Sequence, residues 1–282
     1  RRRRVRIIPI ETKENLMTLL CTACGTAYPA SATHQHCKIC EDERQYIPAS
    51  GQGWIPFDQL RASHANKWTA HSEALLSFKT VPAFAIGQRA FLLRTPQGNV
   101  LWDCLANLDD ATFTLIAALG GIDAIAISHP HYYTTMQEWA EAFNAPIHLH
   151  ARDRQWIVRE SPHIRLWQGD SLTLMPGVTL LRLGGHFPGG CVLHRDEGDG
   201  IILAGDILQV TPGAHGVSFM WSYPNMLPLS AATVGDILQR LTGVTFGQLY
   251  GAFEGQDILQ QAKEKVMRSG EKYLTCLQDH QA

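Results

Sequence analysis

Four of the seven cysteines lie in one short stretch, as Cys21-x2-Cys24 and Cys37-x2-Cys40, and they constrain the fold more than any other feature. Residues 21–46 are polar, rich in Cys and His, and show no sustained period of about 2 or 3.6, so they cannot bury a core of their own. Two such pairs place four thiolates on two tight turns, the donor set of a structural zinc ion, and metal binding supplies the folding free energy that the segment lacks. The 12 residues between the pairs are enough to fold back as a ribbon. Redox-active or incidental thiols are the weaker reading of Cys21, Cys24, Cys37 and Cys40. His34 and His36 could replace a thiolate, although surface histidines explain them more simply. A closed four-ligand site has no open position for substrate, so this module is structural or binds a partner.

Cys104, Cys191 and Cys276 stand singly in apolar segments, and an odd, clustered set is not a disulfide framework. Reduced thiols and a metal fit better, which makes a cytoplasmic location the expectation. Hydrophobic residues at 45%, charged residues at 18%, 24 Gly and 14 Pro describe a loop-rich globular chain rather than a fibrous or disordered one. A net charge of −2 gives no bulk attraction to nucleic acid, so none is expected as a partner. The basic run Arg1 to Arg4 with Arg6 is read as a solvated end or a trimmed fragment. The longest apolar stretch, Leu115 to Ser128, is broken by Gly120, Gly121 and Asp123 and is too short to span a bilayer, so no membrane contact is expected.

Three regions follow: a tail and ribbon-like module at 1–47, a connecting arm at 48–79 with Trp54, Phe57, Trp68 and Phe78, and a larger domain at 80–282. In the last, short apolar runs alternate with helical patterns. Phe91 to Thr95 and Val100 to Cys104 read as a hairpin around Pro96-Gln97-Gly98-Asn99. Asp110 to Leu119 is a helix stopped by Gly120-Gly121, Ile122 to Ile127 a buried strand, Thr135 to Phe143 an amphipathic helix, and Ile147 to His150 a strand. A strand-rich run covers Leu172 to Leu174, Val178 to Leu183, Cys191 to His194 and Ile201 to Ala204. A helix at Ala231 to Leu241, a strand at Gln248 to Tyr250 and a helix from Ile258 close the chain. Mixed strands with outer helices imply a layered α/β (α+β) architecture.

The second chemical constellation lies at strand ends. Ser-His-Pro-His-Tyr-Tyr-Thr-Thr follows the strand Ile122 to Ile127, so His129 and His131 leave a sheet on one loop and can face one point. His186 sits in Gly-Gly-His-Phe-Pro-Gly-Gly, and Asp206 follows Ile201-Ile-Leu-Ala-Gly. A lone loop His is more often solvated, and a lone Asp after a strand more often caps a helix. Three imidazoles and a carboxylate at successive strand ends point to a metal centre.

From about Thr80 onward, the order and spacing of these motifs resemble the metallo-β-lactamase superfamily, whose pattern runs His-x-His-x-Asp-His, a His in a Gly-rich loop, an Asp after a strand and a late His. His129, His131, His186 and Asp206 match it. The resemblance implies a four-layer αβ/βα sandwich with the metal at one edge, and places Asp103 behind the ligands, as the family's early acidic residue. The match lapses at Tyr133 and Thr134, which replace the Asp-His of the first motif, and at Ala252-Phe253-Glu254-Gly255, where the late His would stand. The resemblance therefore implies one active-site metal, zinc or iron, rather than two.

One such metal would activate water for attack on an ester, thioester, lactone or amide of a small-molecule substrate. Tyr132, Tyr133 and Glu254 are candidate acid or base groups, with pocket wall the simpler role for the tyrosines. Two other classes compete. A mononuclear site with two His and one Asp also suits an iron oxygenase of the persulfide-dioxygenase kind, and a decayed site would leave a non-catalytic binding protein. Val217 to Leu229, rich in aromatic residues and Met, reads as a loop over the metal edge or equally as core or a homodimer contact. His148, His150 and His215 are read as structural.

Overall fold

The computed structural model describes residues 18–30 and 35–278. The basic run at Arg1 to Arg6, together with His34, lies outside them. The chain divides into two compact units, Arg1–Leu149 with Gln155–Leu166 and His150–Arg154 with Trp167–Ala282.

In the first unit, a small antiparallel sheet carries the cysteine segment. Strand Thr18–Cys21 pairs with Ala27–Pro29 on one side and with Trp54–Pro56 on the other. The third of these strands comes from residues expected to form the connecting arm. Arm residues also supply two strands of the seven-stranded sheet, Ala65–Ala70 at its edge and Leu75–Val81 beside it. Trp68 and Phe78 sit opposite each other in that register and stack at 4.3 Å. Arg89–Thr95 and Gly98–Trp102 form the expected hairpin, and Ala124–Ala126 then runs parallel to Gly98–Trp102. Parallel strands are covered on both faces, and all three residues of Ala124–Ala126 are buried. Helix Asp110–Ala118 starts on the Asp109 side chain, which accepts from the Thr112 amide at 2.6 Å, and ends where Gly121, at φ 84°, returns its N–H to the Ile116 carbonyl.

The second unit is built on a six-stranded sheet. Ser171–Met175, Val178–Arg182, Cys191–Arg195 and Ile201–Gly205 run antiparallel in sequence order, and Gln248–Gly251 then lies parallel to Ile201–Gly205. Parallel pairing needs a crossover, and helix Ala231–Leu241 lies in it, with the Ser230 side chain capping the Thr233 amide. Its Val234, Ile237, Leu238 and Leu241 share one face and join the core of Val192, Ile202, Phe219, Leu249 and Val266. Val217, Phe219 and Leu229 also belong to that core, so the ends of the segment read as loop, core or contact take the core role, while Met226 at its tip is 79% exposed. Residues 257–258 pair as a short strand with Gln248–Gly251, which delays the last helix to Ala262–Gln278. No helix among the described residues is long and apolar enough to cross a membrane.

Candidate metal centres

Both cysteine pairs form tight knuckles. In the first, the Gly25 N–H returns to the Cys21 carbonyl at 2.8 Å, with Gly25 at φ 81°, where a side chain would be strained. In the second, the amides of Cys40 and Glu41 both point at the Cys37 carbonyl, each at 3.0 Å. The four Sγ atoms lie within 4.8 Å of one another, with Cys21 to Cys40 and Cys24 to Cys37 at 3.6 Å. That is too long for a disulfide bond of about 2.05 Å. It is close to the separation of about 3.8 Å between sulfurs held tetrahedrally on a zinc ion. Burial pushes the Cys24 thiol well up, while the thiols of Cys24, Cys37 and Cys40 pull Cys21 down. So crowded a set cannot all ionise without a cation at its centre. Gln52 Nε2 donates to Cys21 Sγ at 3.1 Å and Tyr28 Oη to Cys37 Sγ at 3.5 Å, the outer hydrogen bonds that thiolate ligands take. The donor set fits a zinc-ribbon-like module.

His129 and His131 belong to the first unit. The chain leaves strand Ala124–Ala126 and enters a single 3-10 turn at Pro130–Tyr132, which sets the two rings 4.9 Å apart, centroid to centroid. Both are buried, at 1% and 3% exposure. Asp103 Oδ1 accepts the Ser128 amide at 2.7 Å, and Ser128 Oγ in turn shares a hydrogen bond with His129 Nδ1 at 2.8 Å. Asp103 thus reaches His129 through one intervening residue. It sits at φ 59°, a conformation that Asp tolerates better than most residues. Tyr133 is buried and caps the turn, its N–H on the Pro130 carbonyl at 3.2 Å.

His186 and Asp206 belong to the second unit. The Gly184 to Gly190 loop closes on itself through Gly184 N–H to the Gly190 carbonyl at 2.9 Å and Gly190 N–H to the Phe187 carbonyl at 2.9 Å. A buried carboxylate pins it from below: Asp153 Oδ1 accepts the Gly189 amide at 2.8 Å, and a Cβ on Gly189 would come within 2.7 Å of that carboxylate. His186 Nδ1 meets the Trp221 carbonyl at 2.8 Å, and the Tyr223 hydroxyl donates to the Asp206 carbonyl at 2.6 Å. Burial, followed by the charge of Asp206, pushes the Tyr223 hydroxyl far up, so it stays a donor. Glu254 is exposed, on the turn joining Gln248–Gly251 to residues 257–258.

Ser128 and Asp153 were not singled out by the sequence, and Trp221 and Tyr223 only as part of the aromatic-rich segment Val217 to Leu229. Trp221 acts through its backbone carbonyl, which no residue pattern marks, and Asp153 lies in a short 3-10 segment far from the glycines it holds. Among the described residues, Cys21, Cys24, Cys37 and Cys40 form one buried set of side chains able to hold a metal ion; the second set of candidate donors is divided between the units, His129 and His131 in the first and His186 and Asp206 in the second, and all four are buried.

Comparison with known proteins bears on the second set. Residues 85–242 match the family model described as the metallo-beta-lactamase superfamily. The chain is 46% identical over 264 residues to the uncharacterized protein YmaE of Bacillus subtilis (strain 168), across 92% of this chain and 96% of that one. Among solved structures it is similar to VMB-1 (TM-score 0.56, 10% identity, 75% of this chain and 97% of that one). It is also similar to the metallo-beta-lactamase SMB-1 in complex with mercaptoacetic acid (TM-score 0.52, 15% identity, 74% and 95%). At such identities these two show a shared fold alone, and no shared substrate. Carrying that fold, a His/Asp donor set and a family match from residue 85 to residue 242, the chain belongs to the metallo-β-lactamase superfamily.

Proposed function

We propose that His129 and His131 of the first unit and His186 and Asp206 of the second hold a single divalent metal, and that the chain is a hydrolase acting on an ester, thioester, lactone or amide of a small molecule. The observation that carries this reading is the burial of the donors, none more than 6% exposed. Groups that can ionise are withdrawn from water to that degree where they are paired or ligate a metal. Ser128 Oγ shares a hydrogen bond with His129 Nδ1, and His186 Nδ1 donates to the Trp221 carbonyl, so each ring is held by a protein oxygen in the way metal-ligating imidazoles are oriented. Tyr133, Thr134 and the segment 252–255 hold none of the further ligands of the superfamily's two-metal pattern, which favours one ion.

A metal bound there would polarise a carbonyl and lower the pKa of a water from about 15.7 to roughly 7. The chain's own part is to fix the ligands. Asp103 steers His129 through Ser128, Asp153 fixes the loop of His186, and Tyr223 secures the peptide after Asp206. Proton transfer falls to Tyr133 or Glu254; the exposed carboxylate of Glu254 can exchange protons with solvent.

The test is metal content per chain by plasma mass spectrometry for the parent, His129→Ala and Asp206→Ala proteins, with a panel of esters, thioesters and lactones. The parent should carry one ion beyond the ribbon metal, and both variants should lose that ion and the hydrolysis. Retention of the ion in both variants refutes the assignment. Iron in place of zinc favours the oxygenase, and ribbon metal alone favours a non-catalytic binding role.

A further inference from the structure

Within the first unit, the ribbon is bonded to the segment that follows His131. The link is the peptide of Ala27, where the first cysteine knuckle passes into strand Ala27–Pro29. Neither of its hydrogen bonds described here stays in the ribbon. Its N–H donates to the Thr134 carbonyl at 3.1 Å, and its carbonyl accepts from Arg159 Nε at 3.1 Å. Arg159 continues to Gln137 Oε1 at 3.1 Å and to Glu138 Oε2 at 2.6 Å, in the first turn of helix Met136–Phe143. Glu138 is 2% exposed, so this ion pair is shielded from water.

The knuckle also packs closely at this point. A Cβ on Gly25 would lie 3.1 Å from the Ala106 methyl and 3.5 Å from Thr134 Cγ2, and Cys24 and Thr134 line one small cavity with Gln88 and Leu105. Thr134 itself has φ 36°, a conformation that a β-branched residue keeps only where its surroundings hold it. From Thr134 back to His129 the backbone is a run of tight turns: Met136 N–H to Tyr133 O at 2.9 Å, Tyr133 N–H to Pro130 O at 3.2 Å and Tyr132 N–H to His129 O at 3.2 Å. A shift of Thr134 is therefore transmitted to both imidazoles.

We propose that Ala27 and Arg159 are positioning residues for the His129–His131 loop, and that the ribbon with its metal in place braces this loop in the form that binds metal. Filling the four-cysteine site then raises the affinity of the histidine site, and by linkage a metal at the histidines raises the affinity of the cysteines by the same factor. The proposal rests on the reading that His129 and His131 hold a metal.

Cobalt(II) added to the metal-free full-length chain tests it, because four thiolates give an intense sulfur-to-cobalt absorption that a His/Asp site lacks. Ala27→Pro removes the N–H to Thr134 and leaves every cysteine in place; Arg159→Ala removes the other bond from a side chain outside the ribbon, and Arg159→Lys restores the charge. The thiolate band should persist in all three. Affinity for the second equivalent should fall about 10-fold or more in Ala27→Pro and Arg159→Ala, the scale of losing an outer partner of a ligand, and recover in part in Arg159→Lys. Amides 129–136 should exchange faster with solvent in the two weakened variants. If Ala27→Pro loses the thiolate band, Arg159→Ala decides. Second-site affinity within about twofold of the parent, with the ribbon loaded, overturns the proposal alone. A parent chain that binds cobalt only at its cysteines overturns the underlying reading, and this one with it.

Discussion

His186 donates from Nδ1 to the carbonyl oxygen of Trp221 at 2.8 Å. A carbonyl can only accept, so the proton sits on Nδ1 and Nε2 keeps its lone pair, the tautomer that ligates metal. His186→Ala should weaken the non-ribbon metal by more than the roughly 10–100-fold typical of an outer partner's loss. Ribbon metal should be unchanged. Equilibrium dialysis against buffered zinc measures both, and equal loss at the two sites would contradict the assignment of His186.

Asp103→Ala removes a buried acceptor from the Ser128 amide and leaves Ala at φ 59°. A cost of about 1–3 kcal/mol is expected from the unsatisfied amide, read as a lower urea midpoint at unchanged slope. Asp103→Asn keeps both an acceptor and a side chain tolerant of that φ, so it should recover most of the loss. If the Asn and Ala proteins are equally destabilised, the hydrogen bond to Ser128 is not what Asp103 contributes.

Gly189→Ala tests the loop around His186 from the other side. Its Cβ would press on the Asp153 carboxylate and on His150 Cβ, at 2.7 and 3.0 Å, so either Asp153 or the loop must move. Metal affinity at the histidine site should fall, while the four-thiolate absorption of the cobalt protein stays intact. Unaltered affinity would show that the loop tolerates displacement without moving His186.

Stability should fall as the pH drops from 7 toward 5. Burial lowers the pKa of both His148 and His150 below the usual value near 6.5, with the cations Arg165 and Arg182 respectively acting in the same direction and the Gly169 carbonyl opposing at His150. The unfolded chain then takes up protons near pH 6.5 that the folded chain refuses until lower pH, so folding loses free energy across that window and levels off beneath it. Urea midpoints at fixed zinc, compared between the parent and a His148→Gln, His150→Gln protein, should show a flatter pH dependence in the variant.

Much of this was legible where chemistry and periodicity agreed. Strand Ile147–His150 and helix Ala231–Leu241 fall at their expected bounds, because each pairs a clear apolar pattern with a boundary signal. The four cysteines and the proposed donors His129, His131, His186 and Asp206 stand out in the sequence because candidate metal ligands are particular residue types, set at turns and strand ends. Residues 65–81 were not. The edge strand Ala65–Ala70 has no buried residue, and Trp68 finds its place by stacking on Phe78 across the register rather than by alternation along its own sequence. Backbone acceptors such as Trp221 and Ala27 escape any reading of side chains.

The ribbon sheet is completed by Trp54–Pro56, which pairs with Thr18–Cys21 from beyond the last cysteine. Ending the module at residue 47 would therefore strip a strand and leave the outer edge of Leu19 to Cys21 open, an invitation to pair with another chain. A graft of this four-cysteine module onto a different protein has to extend past Pro56. Even then it would carry at Ala27 an amide whose acceptor, Thr134, belongs to the rest of the chain.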